Sequence, residues 1–298
     1  MDPRVMEALR EAGVPFRKDE PFSRHTSMGV GGPAAIMAFP RSATELRASL
    51  KVRRDFQVPH RILGAGTNLV VVDQGLDELV VKTARLRRED IGPDGVVRAE
   101  AGARLGGTVV NSCRAGWRGL EKAVGIPGSL GGAVVMNAGA YGFSISEVLQ
   151  EVLVYDADGE PSAPPEGWGF RYRGSSIPEG SAVASLSLGL RPDDPERLAD
   201  ECRELRRQRR QAQPPGRSAG CVFKNPPGEP AGRIIDRLGL RGMRQGGAVV
   251  SPRHANFVVN DGEARSADVL ALVEKIRETV RRETGVDLEL EIQVWRGR

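Results

Sequence analysis

Gly125 to Gly142 reads G-I-P-G-S-L-G-G-A-V-V-M-N-A-G-A-Y-G. Six of these eighteen residues are glycine, which loses more backbone entropy than any other residue and offers no side chain for packing. The stretch is therefore not an ordinary helix or strand interior. Glycines in a loop expose peptide N–H groups, and Ser129 and Asn137 add small hydrogen-bonding groups. The pattern suits a large, flat or phosphorylated ligand, although a tight connection between buried elements would also be rich in glycine.

Two more small-residue loops lie in the N-terminal half of the chain, at Ser27 to Pro33 and at Leu63 to Leu69. The second follows a short apolar run, Arg61 to Leu63, and precedes another, Leu69 to Val72, so it is expected to connect two strands. Its pattern, G-x-G-x-x-L, lacks the third glycine of the dinucleotide fingerprint, and no helix follows directly. A Rossmann fold is thereby excluded.

Composition is that of an ordinary globular protein, because 40% of the 298 residues are hydrophobic and 28% are charged. The length allows two or three domains. No apolar run reaches the roughly 18 residues of a membrane span, and the N-terminus lacks a signal-peptide core, so a cytoplasmic protein without a membrane partner is expected. Three cysteines, an odd number without metal-ligand spacing, argue against a disulfide framework and against a zinc site.

The charge pattern bears on possible partners. The net charge is +4, and basic residues are dispersed among acids. Aromatic residues make up only 5% of the chain, so the basic residues lack the interleaved aromatics of a nucleic-acid surface. A non-enzymatic nucleic-acid-binding or phosphate-binding protein is therefore disfavoured.

Local signals predict helix starts at two places near the N-terminus. Asp2 is expected to cap a helix that has Pro3 at its first position. Ser42 to Glu45 fits a capping box that opens a helix. Further on, Ser266 is expected to cap a long amphipathic helix.

Two strands are predicted from alternation. Ala182 to Leu190 alternates apolar residues with small or polar ones, which is typical of a half-buried strand. Asp287 to Trp295 is expected to be a terminal strand with Glu289 and Glu291 on its polar face, where solvated charges are the ordinary interpretation.

Two segments carry candidate chemistry. Phe170 to Ser176 places two arginines, a tyrosine and two serines in one loop, although a surface arginine is the common case. Ser218 to Pro226 presents a thiol, a lysine and an asparagine between glycine and proline. A single cysteine beside Val and Phe is most often a small buried hydrophobe.

Five motifs occur in this order along nearly the whole chain: G-x-G-x-N-L at Gly64, G-I-P-G-S-x-G-G-A-x-x-M-N-A-G-A-Y-G at Gly125, Y-R-x-S at Tyr172, A-G-C-x-F-K-N-P at Ala219, and the closing L-E-x-E. Together they resemble the UDP-N-acetylenolpyruvoylglucosamine reductase (MurB) family. The resemblance implies an α+β fold with a two-part FAD-binding domain of the PCMH or vanillyl-alcohol-oxidase type and a smaller α+β substrate domain. It implies FAD-binding subdomains at 1–75 and 76–195 and a substrate-binding domain at 196–286, with the strand at 287–298 returning to the first subdomain.

The resemblance also implies a reaction, in which NADPH reduces FAD and a hydride then passes to C3 of UDP-N-acetylglucosamine enolpyruvate. This yields UDP-N-acetylmuramate for peptidoglycan synthesis. Carried over by motif, Arg173 and Glu291 match the pair that stabilises the enolate, and Cys221 falls at the proton donor's position. Many family members have serine there, but a thiol is a stronger acid than a hydroxyl and is still mostly protonated at neutral pH. Alternation alone does not choose between Glu289 and Glu291.

The remaining implied site residues divide by ligand. FAD is expected to contact the two glycine-rich loops through Gly64, Ala65, Gly66, Thr67, Asn68, Leu69, Gly125, Ile126, Pro127, Gly128, Ser129, Gly131, Gly132, Ala133, Asn137, Ala138 and Gly139. The UDP-linked substrate is expected to contact Tyr172, Lys224, Asn225, His254 and Asn256. No metal is expected, and the chain is expected to be a monomer.

The distance along the chain between two of the motifs is informative, because only 45 residues separate Ser175 from Cys221. This is too few for the substrate-covering loop of the family's longer branch, so the chain resembles the shorter branch. The alternative is another PCMH-type FAD oxidoreductase that acts on an alcohol or sugar. The A-G-C-V-F-K-N-P motif and the terminal glutamate argue against it.

Overall fold

The structure is a computed structural model that describes residues 1–163 and 167–297. The α-helices of these residues are α1 (Pro3–Glu11), α2 (Ala43–Asp55), α3 (Leu105–Arg114), α4 (Leu130–Val135), α5 (Pro195–Ala212), α6 (Ala231–Arg237) and α7 (Ser266–Thr284). The strands are β1 (Phe16–Pro21), β2 (Pro33–Ala38), β3 (His60–Leu63), β4 (Leu69–Val71), β5 (Leu76–Lys82), β6 (Glu89–Ile91), β7 (Val96–Glu100), β8 (Trp117–Arg118), β9 (Gly139–Ala140), β10 (Phe143–Ser144), β11 (Leu149–Tyr155), β12 (Pro161–Ser162), β13 (Ala182–Gly189), β14 (Arg191–Pro192), β15 (Arg217–Cys221), β16 (Arg244–Gln245), β17 (Ala248–Val250), β18 (Phe257–Asn260) and β19 (Gln293–Trp295).

The chain forms two compact units, each built from three separate segments. Unit 1 comprises 1–19, 35–65 and 77–207, and unit 2 comprises 20–34, 66–76 and 208–298. The sequence-based division at 75/76, 195/196 and 286/287 stays a prediction.

The five-stranded sheet of unit 1 has the order β12-β11-β13-β7-β6 and is antiparallel throughout. Its strands and helices α3 and α4 contribute side chains to one core, including Leu130, Leu186 and Leu188. The expectation of a half-buried strand at 182–190 is wrong, because β13 lies between two neighbouring strands and all but two of its residues, Ser185 and Gly189, are buried.

A second sheet has the order β1-β2-β5-β3, in which β3 and β5 run parallel. Helices α1 and α2 pack with it, through residues such as Leu9 and Leu50. Both predicted helix starts are confirmed. The Asp2 side chain accepts a hydrogen bond from the Arg4 amide, and Ser42 accepts one from the Glu45 amide.

Unit 2 is built around the antiparallel sheet β15-β18-β17-β16, whose core includes residues of α6 and α7. The predicted cap of α7 is wrong. Arg265 is the N-cap residue, and the amides of Ser266 and Ala267 donate to the Asp73 carboxylate at 2.9 and 3.1 Å. A carboxylate at this end of a helix is favoured by the unpaired amides there.

The C-terminal segment differs most from expectation. Only Gln293–Trp295 forms a strand, and it pairs in parallel with β4. Before it, Leu290 makes a single bridge to Phe223, and Glu291 lies in a bend. The prediction of one continuous strand at 287–295 is therefore wrong. The segment pairs with Phe223 before Glu291 and with β4 after it.

Candidate active site

The Gly64 loop begins where the parallel strands β3 and β5 end, with Leu63 paired to Lys82. Gly66 in this loop is buried and has a φ of 70°. A Cβ on Gly66 would lie 2.1 Å from the carbonyl oxygen of His25, and the Ser27 amide donates to the Gly66 carbonyl oxygen at 2.9 Å. Two of the three small-residue loops are thus packed together, and packing alone requires glycine at this position.

The Gly64 loop also neighbours the Gly125 motif within unit 1. A Cβ on Gly64 would lie 2.8 Å from Ser129 Oγ, and the same oxygen accepts a hydrogen bond from the Gly132 amide at 3.4 Å. The structure therefore brings together members of the two loops for which FAD contacts are predicted.

These loops carry backbone donors without protein partners. Within the described residues, no hydrogen bond is donated by the amides of Gly128 and Ser129 in unit 1, or by those of Gly66 and Asn68 in unit 2. Gly66 and Ser129 are both buried, and Ser129 is only 3% exposed. Buried backbone N–H groups are nearly always paired, so these amides are suited to an oxygen-rich ligand such as a diphosphate. Within each unit, the pair of donors fits the FAD diphosphate.

Other glycines of the motif are explained by protein packing. A Cβ on Gly131 would lie 2.7 Å from Ala101 Cβ, and one on Gly139 would lie 2.0 Å from the Phe143 carbonyl oxygen. Packing therefore accounts for these two glycines, and contact with FAD stays a prediction for the stretch.

Arg173 lies in a tight turn of unit 1. The Arg171 amide donates to the Gly174 carbonyl oxygen at 2.9 Å, and the Gly174 amide donates back at 3.2 Å. Arg173 has a φ of 56°, uncommon for a residue with a side chain. Its guanidinium lies 4.9 Å from the centre of the Tyr172 ring, and that ring is 55% exposed. The turn therefore holds the Arg173 guanidinium against an exposed tyrosine ring.

Two hydrogen bonds tie this turn to the Gly125 motif. The Asn137 side chain donates to the Arg171 carbonyl oxygen at 3.1 Å, and Ser175 Oγ donates to the Val135 carbonyl oxygen at 2.9 Å. The Asn137 side-chain oxygen also accepts from the Ser146 amide at 3.2 Å. Asn137, predicted to contact FAD, thus has an observed role in holding the arginine turn.

Cys221 is the last residue of β15 and is partly exposed. The register of β15 against β18 shifts between Ser218 and Cys221, and Gly220 between them has a φ of 83°. A bulge of this kind re-aims the side chain that follows it. Cys221 is therefore not the packed core cysteine that its apolar neighbours would favour.

Glu291 is held next to Cys221 through the backbone of unit 2. Its amide donates to the Val222 carbonyl oxygen at 2.8 Å, and its carbonyl oxygen accepts from the Asn68 side chain at 3.0 Å. Glu289 instead forms an ion pair with Lys224 and has a side chain that is 73% exposed. The structure thus separates two glutamates that the sequence pattern could not distinguish.

The other predicted substrate residues have protein partners. Asn225 accepts from the Ala231 amide at 3.1 Å. Asn256 is 3% exposed and joins both its side-chain atoms to the Phe223 backbone, at 2.9 and 2.8 Å. His254 Nδ1 accepts from the Asn256 amide at 3.3 Å, and burial lowers the pKa of His254 below its usual value. Asn256 therefore supports the F-K-N-P segment, and its direct contact with substrate stays a prediction.

Sequence reasoning missed one charged residue at these loops. Lys82 is 8% exposed, and its Nζ donates to the Gly64 carbonyl oxygen at 3.3 Å. The only available signal was a lysine at the end of an apolar run. Arg173 belongs to unit 1, whereas Cys221 and Glu291 belong to unit 2.

No cluster of three or more His, Cys, Asp or Glu side chains placed to bind a metal ion occurs in 1–163 or 167–297. In that part of the chain, no helix is both long and apolar enough to cross a membrane.

Comparison with known proteins identifies the family. The model of the UDP-N-acetylenolpyruvoylglucosamine reductase C-terminal domain matches residues 210–295, and that of an FAD-binding domain matches residues 34–162. A UDP-N-acetylenolpyruvoylglucosamine reductase of Moorella thermoacetica is 43% identical over 93% of this chain and 92% of its own length. This chain belongs to the UDP-N-acetylenolpyruvoylglucosamine reductase family. The enzyme of that name from Thermus thermophilus is 41% identical over 91% of this chain and 96% of its own length.

Solved structures agree with this assignment. The crystal structure of the family member from Thermus caldophilus superposes with a TM-score of 0.81 at 39% identity, covering 95% of this chain and 99% of that one. A glucose dehydrogenase, Phl p 4.0202, aligns with 64% of this chain and 44% of its own at a TM-score of 0.50 and 16% identity, which shows the fold alone. The fold is the expected α+β architecture with a PCMH-type FAD-binding domain.

Proposed function

We propose that this chain reduces UDP-N-acetylglucosamine enolpyruvate to UDP-N-acetylmuramate, with NADPH as reductant and FAD as cofactor, in the synthesis of peptidoglycan precursors. Membership of the reductase family supports this function over the whole chain. The alternative, another PCMH-type oxidoreductase acting on an alcohol or sugar, is not favoured. The glucose dehydrogenase Phl p 4.0202, a neighbour in fold, is only 16% identical to this chain.

The observation that carries the proposal is the arrangement around Val222. Its carbonyl oxygen binds the Glu291 amide, Cys221 precedes it in the chain, and the Asn68 side chain binds the Glu291 carbonyl oxygen. One small region of unit 2 thus joins the proposed acid, the proposed charge-stabilising glutamate and the predicted cofactor loop.

FAD is proposed to lie with its diphosphate against the unpaired amides of Gly66, Asn68, Gly128 and Ser129. The chemistry that FAD supplies when bound is hydride transfer, first from NADPH and then to C3 of the enolpyruvyl group. The residues of the chain are proposed to bind and orient the reactants, to stabilise the negative charge of the enolate and to donate a proton to C2.

Reduction at C3 places negative charge on the enolate, which must be stabilised before C2 is protonated. We assign that stabilisation to Arg173 and Glu291. Arg173 would act as a cation and Glu291 as an acid, each placed to stabilise the negative charge that develops on the enolate. Cys221 then transfers its thiol proton to C2, and a proton from solvent restores the thiol. The bulge before Cys221 supports this role, since it directs a partly exposed thiol away from the regular ladder.

Substrate contacts are proposed in each unit, at Tyr172 of unit 1 and at Lys224 and Asn225 of unit 2. Tyr172 stands beside Arg173 on the turn, and Lys224 and Asn225 follow Cys221 closely in the chain. Lys224 already balances Glu289, so a substrate phosphate would compete with that carboxylate for the ammonium group. His254 is a weaker candidate, because burial favours its neutral form.

The function is tested by mixing purified protein, NADPH and UDP-N-acetylglucosamine enolpyruvate and identifying the product by mass spectrometry. The expected product is UDP-N-acetylmuramate, formed in step with NADPH oxidation. In a parallel control reaction, glucose replaces the enolpyruvyl substrate. Oxidation of glucose or another sugar, without reduction of the enolpyruvyl ether, would favour the alternative function.

FAD is proposed to bind without a covalent link. His25 is the nearest upstream candidate for attachment, and its Nε2 lies 2.8 Å from a Glu20 carboxylate oxygen in a largely buried pair. Denaturing the protein should release all flavin into the supernatant, whereas colour that stays with the precipitate would contradict the proposal. We also propose a cytoplasmic monomer without a nucleic-acid partner, and sedimentation of the holoenzyme tests its monomeric state.

A further inference from the structure

Lys82 is a buried cation with little compensation from the protein. It is 8% exposed, and its Nζ donates to the Gly64 carbonyl oxygen at 3.3 Å. An ammonium group has three N–H donors, so this single long hydrogen bond leaves it under-satisfied. In the part of the chain that the structure describes, no carboxylate oxygen lies within 4.0 Å of Lys82 Nζ.

Such a charge is costly in the absence of an anion. Removing an ammonium group from water is unfavourable unless it gains a counter-charge or good hydrogen bonds. Burial, with a smaller repulsion from Arg87, lowers the pKa of Lys82 to about 8. A buried lysine in this state is unusual, and the protein's own contacts do not balance its charge.

The position of Lys82 points to that explanation. Lys82 is paired with Leu63 across the parallel strands, so it lies at the sheet edge where the Gly64 loop begins. The carbonyl oxygen that it binds belongs to Gly64, whose Cα faces Ser129 of the glycine motif. The unpaired amide of Ser129 is therefore close to the same loop residue.

We infer that Lys82 is a cofactor-binding residue, which orients the Gly64 turn through its carbonyl oxygen and supplies positive charge to the FAD diphosphate. The inference rests on the proposed function, because it requires FAD at these loops. Backbone amides carry no net charge, and the FAD diphosphate carries two negative charges, so a nearby ammonium group complements the diphosphate.

This role predicts opposite effects on the free protein and on the complex. Without FAD the ammonium group is an unfavourable buried charge, and removing it should not lower stability. With FAD it is paired, and removing it should weaken binding. A lysine that only stabilises the conformation of the Gly64 loop would behave differently. Its loss would lower the stability of the FAD-free protein more than it would weaken FAD binding.

The test compares wild type, Lys82→Met and Lys82→Gln after the flavin has been removed. FAD affinity is measured by titration of flavin fluorescence, and the melting temperature is measured with and without FAD. We expect Lys82→Met to weaken FAD binding roughly tenfold or more, the usual effect of losing a charged hydrogen bond. We expect the melting temperature of the FAD-free variant to stay within about 2 °C of wild type or to exceed it.

Two comparisons isolate the charge. Lys82→Gln keeps a donor for the Gly64 carbonyl oxygen without the positive charge, so it should bind FAD nearly as weakly as Lys82→Met. Thr83→Val is the matched control, because Thr83 is 3% exposed and its Oγ1 donates to the neighbouring Leu63 carbonyl oxygen at 3.5 Å. This variant should lose some stability and keep FAD affinity near that of wild type.

Several outcomes would overturn the inference. Equal FAD affinity in wild type and Lys82→Met excludes the role, and full affinity in Lys82→Gln reduces Lys82 to a brace for the loop. A Lys82→Met protein that fails to fold without FAD also counts against it. If wild type itself binds no FAD, the proposed function fails instead, which distinguishes the two failures.

Discussion

The side chain of Asn137 donates a hydrogen bond to the carbonyl oxygen of Arg171 at 3.1 Å, and so joins the glycine-rich motif to the turn that presents Arg173. Asn137 is 7% exposed and has a φ of 42°, a conformation that asparagine tolerates better than most residues. The motif therefore has an observed structural role beside its proposed contact with FAD. It sets the position of the arginine proposed to stabilise the enolate.

Replacing Asn137 should harm the second half-reaction more than the first. Asn137→Gly keeps the positive φ and removes the amide that holds Arg171, so we expect turnover to fall roughly tenfold, as for loss of a buried hydrogen bond. Bleaching of the flavin by NADPH should change little. Stopped-flow absorbance of each half-reaction measures both effects. Asn111→Ala is the control, because Asn111 is exposed and its side chain donates to Glu89. An equal loss in both variants would contradict the positioning role.

Arg173 is expected to differ sharply from its neighbour Arg171. Arg173→Ala removes the proposed cation and should raise the barrier by about 3 kcal/mol, the scale of a lost oxyanion donor. Arg171→Ala keeps the backbone turn and removes only an exposed side chain, so its turnover should be close to that of wild type. Steady-state turnover with the enolpyruvyl substrate decides between them. Near-normal turnover of Arg173→Ala would show that Arg173 is only a surface charge.

The two C-terminal glutamates provide another matched pair. Glu291→Gln should lower turnover by roughly a hundredfold through lost stabilisation of the enolate. Glu289→Gln weakens only the pairing with Lys224 at an exposed position, so it should act mainly on the KM for substrate. Measurement of kcat and KM for both variants tests the assignment. If Glu289→Gln shows the larger loss in kcat, the assignment belongs to Glu289.

Cys221 is predicted to separate the two half-reactions. Cys221→Ser keeps one transferable proton and should remain active, though more slowly. Cys221→Ala removes the acid, so NADPH should reduce the flavin normally while reoxidation by the enolpyruvyl substrate stalls. Rapid-mixing experiments on each half-reaction show which step is lost. Unimpaired reoxidation in the alanine variant would exclude proton donation by Cys221.

The remaining cysteines form a buried pair, with Cys113 Sγ 3.0 Å from Cys202 Sγ. The hydrogen bond from Cys113 lowers the pKa of the Cys202 thiol, so Cys202 is the member of the pair that ionises and reacts with peroxide. We expect dilute hydrogen peroxide to oxidise this pair to a disulfide, with the peroxide reduced to water. Thiol titration of denatured protein should then fall from three thiols to one, and dithiothreitol should restore all three.

Peptide mass spectrometry identifies the link in that experiment. A bond between Cys113 and Cys202 is expected, and Cys221→Ser should show no free thiol after oxidation. Three persistent thiols, or a link that includes Cys221, would contradict the prediction.

Features that depend on neighbouring residues could be predicted from the sequence. The caps at Asp2 and Ser42 involve residues two and three positions ahead, so a local pattern contains both partners. The strands on both sides of the Gly64 loop follow in the same way from short apolar runs beside glycine. The order of the motifs was enough to indicate the family, the fold and FAD.

Tertiary structure alone decided the features whose partners are far apart in the chain. Asp73 binds the start of α7 from 193 positions away, and Glu291 is held by Asn68 from 223 positions away. The alternation of residues 287–295 predicts one strand, yet the segment changes its pairing partner at Glu291. A local sequence pattern does not contain that information, because the partners lie far away in the chain. The same reason applies to Lys82, because its burial beside Gly64 results from the pairing of two parallel strands and not from the residues next to it.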